Sequence, residues 1–205
     1  MAKRIPKKSQ SKSSQPADAV QMLKADHKQV RKLFEQFYAA ADDDKGTIAG
    51  RLFIGLHIHS TLEEELFYPA IQAKLESLGK LGDSLDANEN LEGEKAEDEE
   101  ANLDEIDGAE LAVVDDKDTA SEVISAAYDS HQTIQDLIQQ LRSLDPKSGD
   151  YHQLFTELEE AVIEHVAEEE DIILPLAAAQ LDVQTLGVKM QQRKDDLSSQ
   201  SSLAA

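Results

Sequence analysis

Cysteine is absent from the chain, and with it go disulfides, thiolate zinc sites, thiolate-ligated clusters and cysteine nucleophiles. Aromatic residues make up only 4%, and glycine and proline number 9 and 5. The rest is rich in Ala, Leu, Glu, Lys and Gln, which favours helix over strand. No apolar run approaches the ~20 residues of a membrane span. The basic opening MAKRIPKKSQSKSSQP lacks the apolar segment of a signal peptide, so the expected setting is cytoplasmic. Positive charge is scarce too: 20 Lys and Arg stand against 42 Asp and Glu, for a formal net charge of -22. A chain this acidic repels nucleic acid and anionic membranes, and it attracts cations.

Helical patterning fills most of the length. Residues 1–16, with five Lys or Arg and two Pro, read as a disordered basic tail. Residues 17–181 carry four amphipathic segments. Leu23, Val30, Phe34 and Phe37 form the apolar stripe of the first, with His27 inside it. Leu52, Leu56, Leu66 and Ala70 mark the second, with His59 inside it, and Pro69 is expected to bend or tighten its last turns. Ile124, Ala127, Ile134, Ile138 and Leu141 mark the third, around His131. Leu154, Leu158, Val162, Ile172 and Leu176 mark the fourth, around His165. Residues 83–118 hold 16 Asp or Glu against two Lys and read as a solvated, disordered insertion. Residues 182–205 read as a short C-terminal helix and a frayed tail. The expected fold is all-α, an antiparallel four-helix bundle with an acidic disordered insertion between its second and third helices.

The two halves repeat. From His27 the first segment reads HKQVRKLF, and from His131 the third reads HQTIQDLI. From His59 the second reads HSTLEEELFYP, and from His165 the fourth reads HVAEEEDIILP. Apolar matches between amphipathic helices are common, but histidine, paired glutamates and proline at the same offsets are not. The separations agree as well: 32 residues from His27 to His59 and 34 from His131 to His165. Each half thus contributes one lone histidine and one His-x-x-x-Glu pair.

Residues at i and i+4 share a helix face, so His59 with Glu63, and His165 with Glu169, turn toward one layer. One buried histidine is usually a hydrogen-bonded core residue. Four on four core stripes, two of them followed by an inward carboxylate, would oppose folding without a cation. Imidazole with carboxylate suits iron, manganese or zinc rather than calcium or magnesium. Two bridging carboxylates and four imidazoles leave open positions on a pair of octahedral metals, some filled by a bridging oxide or hydroxide. His57, about 200° around the helix from His59, and His152, in the first turn of the fourth segment, are expected to stand apart from this layer. Tyr68 and Tyr128 read as packing residues.

This pattern resembles the hemerythrin-like family in its His-His-Glu, or HHE, cation-binding branch. The resemblance rests on His27, HSTLEEELFYP, His131 and HVAEEEDIILP, and it spans residues 17–181 apart from the acidic insertion. It implies a non-haem site of two Fe ions with a bridging oxide or hydroxide. The implied terminal ligands are His27, His59, His131 and His165. Glu63 and Glu169 would bridge, with equivalent roles in the two halves and with Glu170 as the alternative to Glu169. Oxygen carriers have a further histidine where this chain has Gln135. Ferritin-like sites use Glu-x-x-His, the reverse order. The implied function is binding or sensing of O2, NO or peroxide. From the charge and hydropathy no nucleic acid or membrane partner is expected, and the oligomeric state stays open, with a monomer slightly favoured. An enzyme that reduces peroxide, oxidises iron or releases it for repair is the rival class, and a regulatory module acting through the acidic insertion is a third.

Overall fold

The structure, a computed structural model, describes residues 18–86 and 117–203. Helix α1 (Ala19–Ala39) starts at Asp18, whose carboxylate accepts a 2.8 Å hydrogen bond from the Gln21 amide. That satisfies one of the amides left free at a helix start. The chain then reverses within two residues into α2 (Asp42–Leu62), whose first turn places Asp42, Asp43 and Asp44 at the positive end of the helix dipole. Past Leu62, α2 runs through a widened turn, Glu63–Phe67, into α3 (Tyr68–Asp86), so that α2 and α3 form one rod. The second half repeats the plan. Helix α4 (Lys117–Leu141) is followed by α5 (Gly149–Glu168), capped by the Ser148 hydroxyl, then by a widened turn, Glu169–Ile173, and by α6 (Leu174–Gln180). Helix α7 (Val183–Leu203) completes the described chain.

Both widened turns are π-helical. The Tyr68 amide bonds to the carbonyl of Glu63, and the Leu174 amide to that of Glu169, five residues back in each case. Each precedes a proline, Pro69 or Pro175. A proline has no amide to donate and its ring crowds the carbonyl four residues earlier, and the wider turn relieves that clash. The expected tightening at Pro69 is therefore corrected: the turn before it loosens, and the rod continues to Asp86.

The all-helical expectation holds for the described residues, which contain no strand. The expected four helices become five rods, because α7 is not a short appendage. It is 21 residues long, and Leu186, Met190 and Leu197 bury one of its faces against the bundle. Those three are a thin apolar stripe in a segment rich in Gln, Ser and Lys, which hides its core role from the sequence pattern. Of the expected insertion at 83–118, residues 83–86 and 117–118 are helical. Residues 87–116, the basic tail at 1–16 and the last two residues lie outside the described residues.

The core divides into two apolar blocks. One gathers Leu23, Leu62, Phe67, Ile124 and Leu174 with the buried face of α7. The other gathers Phe34, Phe37, Leu52, Ile134, Phe155 and Leu158, and in it the Phe37 and Phe155 rings stack at 3.7 Å. Along α1, His27 falls between Leu23 of the first block and Val30 of the second. Along α4, His131 falls between Ala127 and Ile134. A polar layer thus crosses the bundle between the two blocks.

Candidate metal centre

His27, His59, Glu63, His131, His165 and Glu169 are brought together in that layer, none more than 4% exposed. Donor atoms of His27, His59, Glu63 and Glu169 lie within 4.8 Å of one another, and so do those of Glu63, His131 and His165. Glu63 belongs to both groups. Its Oε1 lies 3.3 Å from His59 Nε2 and its Oε2 3.3 Å from His131 Nε2. Glu169 sits differently. Its Oε2 faces His27 Nε2 at 3.2 Å and His165 Nε2 at 3.5 Å, while its Oε1 accepts a 2.6 Å hydrogen bond from the Tyr68 hydroxyl.

For two of the four imidazoles, the outer ring nitrogen explains why Nε2 faces inward. His27 Nδ1 donates to Glu170 at 2.8 Å, and His131 Nδ1 donates to Glu64 at 2.8 Å. A carboxylate on Nδ1 fixes the proton there and leaves the Nε2 lone pair free for a cation. The arrangement crosses over: the glutamate after Glu63 serves the third-segment histidine, and the glutamate after Glu169 serves the first. Arg31 also contacts Glu170, at 3.3 Å. His59 Nδ1 faces Asp26 at 3.9 Å, and Asp26 is gripped by Lys194 of α7 at 2.7 Å. Ser130 occupies the matching position in the other half, and His165 Nδ1 has no hydrogen-bond partner.

The electrostatics follow from burial. Desolvation, with the Glu169 charge beside it, pushes the Glu63 carboxyl well above its ordinary range. Burial also opposes ionisation of Glu169, but hydrogen bonds and charges from His27, His165, His59 and Tyr68 outweigh it and hold this carboxyl low. Of the two, Glu63 keeps the proton when no cation is present. Burial lowers His165 to about 4 and also lowers His131. Burial and the two nearby carboxylates raise Tyr68, so its hydroxyl stays a donor.

The donor set fits a metal pair. Both oxygens of Glu63 and Oε2 of Glu169 are buried without hydrogen-bond partners. Nitrogens face each other at 3.2 Å between His27 and His59 and at 3.0 Å between His131 and His165. Orphaned carboxylate oxygens and opposed lone pairs are costly alone, and cations shared among them remove the cost. Glu170 points to the outer side of His27, 30% exposed, away from the cluster. His57 is exposed and His152 rests near Lys45 at 3.3 Å, and neither joins the group. A cavity of about 470 Å3 lies over the layer between α2 and α4, with His59, His131, His165 and Gln135 in its wall.

Tyr68 and the crossed contacts of Glu64 and Glu170 escape the sequence reading. Tyr68 lies nine residues after His59, and the same offset after His165 gives Leu174, so the repeat itself could have marked Tyr68 as the exception.

A sequence profile described as the hemerythrin HHE cation binding domain matches residues 18–121. His131 and His165 lie beyond that segment and are tied to it by the internal repeat. No curated protein matches the sequence. The solved structure of a hemerythrin HHE cation binding domain-containing protein from Mycobacterium kansasii aligns with a TM-score of 0.61 at 18% identity, covering 88% of this chain and 87% of that one. That likeness speaks to the helical fold.

Proposed function

This chain belongs to the hemerythrin HHE cation-binding domain family, and on that premise we propose that its buried His–Glu layer holds two iron ions and binds or senses O2, NO or peroxide. His27 and His59 would serve one ion, His131 and His165 the other. Glu63 would lie between them, with Glu169 beside it. Bound there, the pair would supply redox-active Lewis acid centres with positions open to a small ligand. The observation that carries this reading is Glu63, which turns one oxygen to a histidine of each hairpin at 3.3 Å. Glu64 and Glu170 support it by holding His131 and His27 in the tautomer that ligation needs.

Protein purified without added metal is expected to carry two irons per chain and to show visible absorption that a chelator removes. Stopped-flow mixing of the reduced protein with oxygen would then give a reversible spectral change. A chain that carries no iron and takes up none would defeat the proposal.

Tyr68 favours a second reading, the enzyme. Its buried hydroxyl is a proton-bearing group in contact with Glu169, and peroxide reduction consumes protons. Sustained peroxide turnover that Tyr68→Phe slows, with iron content unchanged, would select it over simple binding.

A further inference from the structure

The cavity over the histidines is much larger than a diatomic ligand or peroxide fills. At about 470 Å3 it falls within the roughly 300–1,000 Å3 of pockets that enclose drug-sized molecules. Its wall on α4 is one helical face from His131 to Gln139, about 12 Å along the axis at 1.5 Å per residue, with Arg142 in the turn just past the end of the helix. That wall is zoned. At one end, Ser60, Gln135 and the exposed His57 accompany the buried histidines. A belt of Phe53, Leu56, Ile134 and Ile138 follows. Gln139 and Arg142, both exposed, stand at the other end.

Charge sets the Arg142 end apart: among the described residues, no acidic side chain lines the cavity. The Arg142 guanidinium lies 6.0 Å from the centre of the Phe53 ring and makes no ion pair with any described residue. A guanidinium over an aromatic face, with no carboxylate partner among the described residues, is suited to a carboxylate. At the other end, His165, a wall residue, has an unpartnered Nδ1.

We propose that this cavity binds an aliphatic monocarboxylate that carries an oxygen function at its far end. The carboxylate pairs with Arg142, the hydrocarbon chain packs on the apolar belt, and the oxygenated end lies against Gln135 and Ser60 at the histidine end. Each methylene taken up by the belt strengthens binding roughly fourfold. This assignment does not depend on the metal.

The test is calorimetric titration of the full-length, metal-free chain with ω-hydroxydecanoate, decanoate and decanol. Saturable binding at one site is expected, strongest for ω-hydroxydecanoate and weakest for decanol. Arg142→Gln should weaken both acids roughly tenfold or more, as loss of a charge-assisted contact does, with Arg142→Lys recovering part of the loss. Gln135→Trp, at an exposed wall position, should block all three while leaving the circular dichroism spectrum unchanged. Absence of saturable binding by either acid would overturn the proposal. So would decanol binding as tightly as the acids, or acid binding that survives both Arg142→Gln and Gln135→Trp. Iron content is measured on separate samples, so failure of the iron reading and failure of this one are distinguishable.

Discussion

The Tyr68 hydroxyl donates a 2.6 Å hydrogen bond to Glu169 Oε1, and this single contact makes the two central glutamates unequal. Glu63 keeps both oxygens for histidine nitrogens, whereas Glu169 keeps one. The equivalence expected from the repeat therefore gives way. Glu63→Gln should strip metal from both halves of the site, and Glu169→Gln should strip less. Tyr68→Phe leaves a buried acceptor without its donor and should cost about 1–3 kcal/mol in the metal-free protein. Urea denaturation and metal analysis of the three variants would check this ranking. Equal metal loss in the two glutamine variants would refute it.

Glu64 and Glu170 should matter more than their partial exposure suggests. Each holds the outer nitrogen of a histidine in the opposite hairpin. Removing such a partner typically costs about 10–100-fold in metal affinity. Glu64→Ala and Glu170→Ala are expected to show that loss in competition with a chelator, and an affinity equal to that of the unaltered chain would show that the contacts do not orient the rings.

The metal-free fold should lose stability in acid, below the ordinary carboxylate range. His165 titrates near 4 in the folded chain, because burial disfavours imidazolium, against an ordinary value of 6.5. Between those values the unfolded chain binds a proton that the folded chain does not. Stability is therefore present above pH 6.5 and is lost on acidification toward 4. At about 1.4 kcal/mol per pH unit, His165 alone accounts for about 3 kcal/mol, and His131 acts in the same direction. Glu63, raised by burial, contributes the opposite slope: its share is full below the ordinary carboxylate range and is lost as pH rises. Below the ordinary carboxylate range the Glu63 share no longer changes, while Glu169, held low in the folded chain, begins to lose its own, so the net fall comes there. Denaturation midpoints taken down the pH scale should fall, and His165→Leu should flatten the fall; a midpoint that holds constant would contradict the assignment.

Metal should stabilise the fold by mass action. At free metal about 100 times the dissociation constant, each independent site adds about 2.7 kcal/mol. Iron-loaded and metal-free samples should melt several degrees apart at neutral pH. His57→Ala should leave that gap intact, while His59→Ala should shrink it. Coincident melting curves would show that the layer holds no cation.

Helix α7 separates packing from charge. Met190→Ala removes a fully buried side chain and should cost about 2–5 kcal/mol. Arg193 pairs with Glu65 at 2.6 and 2.8 Å but at the surface, where solvent screens the pair, so Arg193→Ala should cost far less than Met190→Ala. Chemical denaturation of the two variants would show which interaction secures the helix.

Much of the helical pattern is legible because His27 and His131 interrupt apolar stripes without breaking their period, and His59 and His165 each place a glutamate one turn on. What resists reading depends on contacts distant in sequence. Tyr68 meets Glu169 across 101 residues, and Glu64 meets His131 across 67. No local spacing announces either pairing. The π turns leave only an indirect trace in Pro69 and Pro175. Lys194 reaches Asp26 across 168 residues, from a helix whose sparse apolar stripe gives little hint of a place in the bundle.

The widened turns also govern rotational phase. A π turn takes up about one residue more than an α turn, and one residue is about 100° of rotation. Each rod is thus a shaft with a single notch of slip between two lengths. The length before the notch aims His59 or His165 into the polar layer. The length after it aims Tyr68, Ile71 or Ala177 into the apolar block. Without that slip, one unbroken period would have to serve both, and an orientation good for the histidines would turn Tyr68 away from Glu169. The notch lets the two lengths be set independently, which is why a deletion of one residue there would rotate an entire helix rather than merely shorten it.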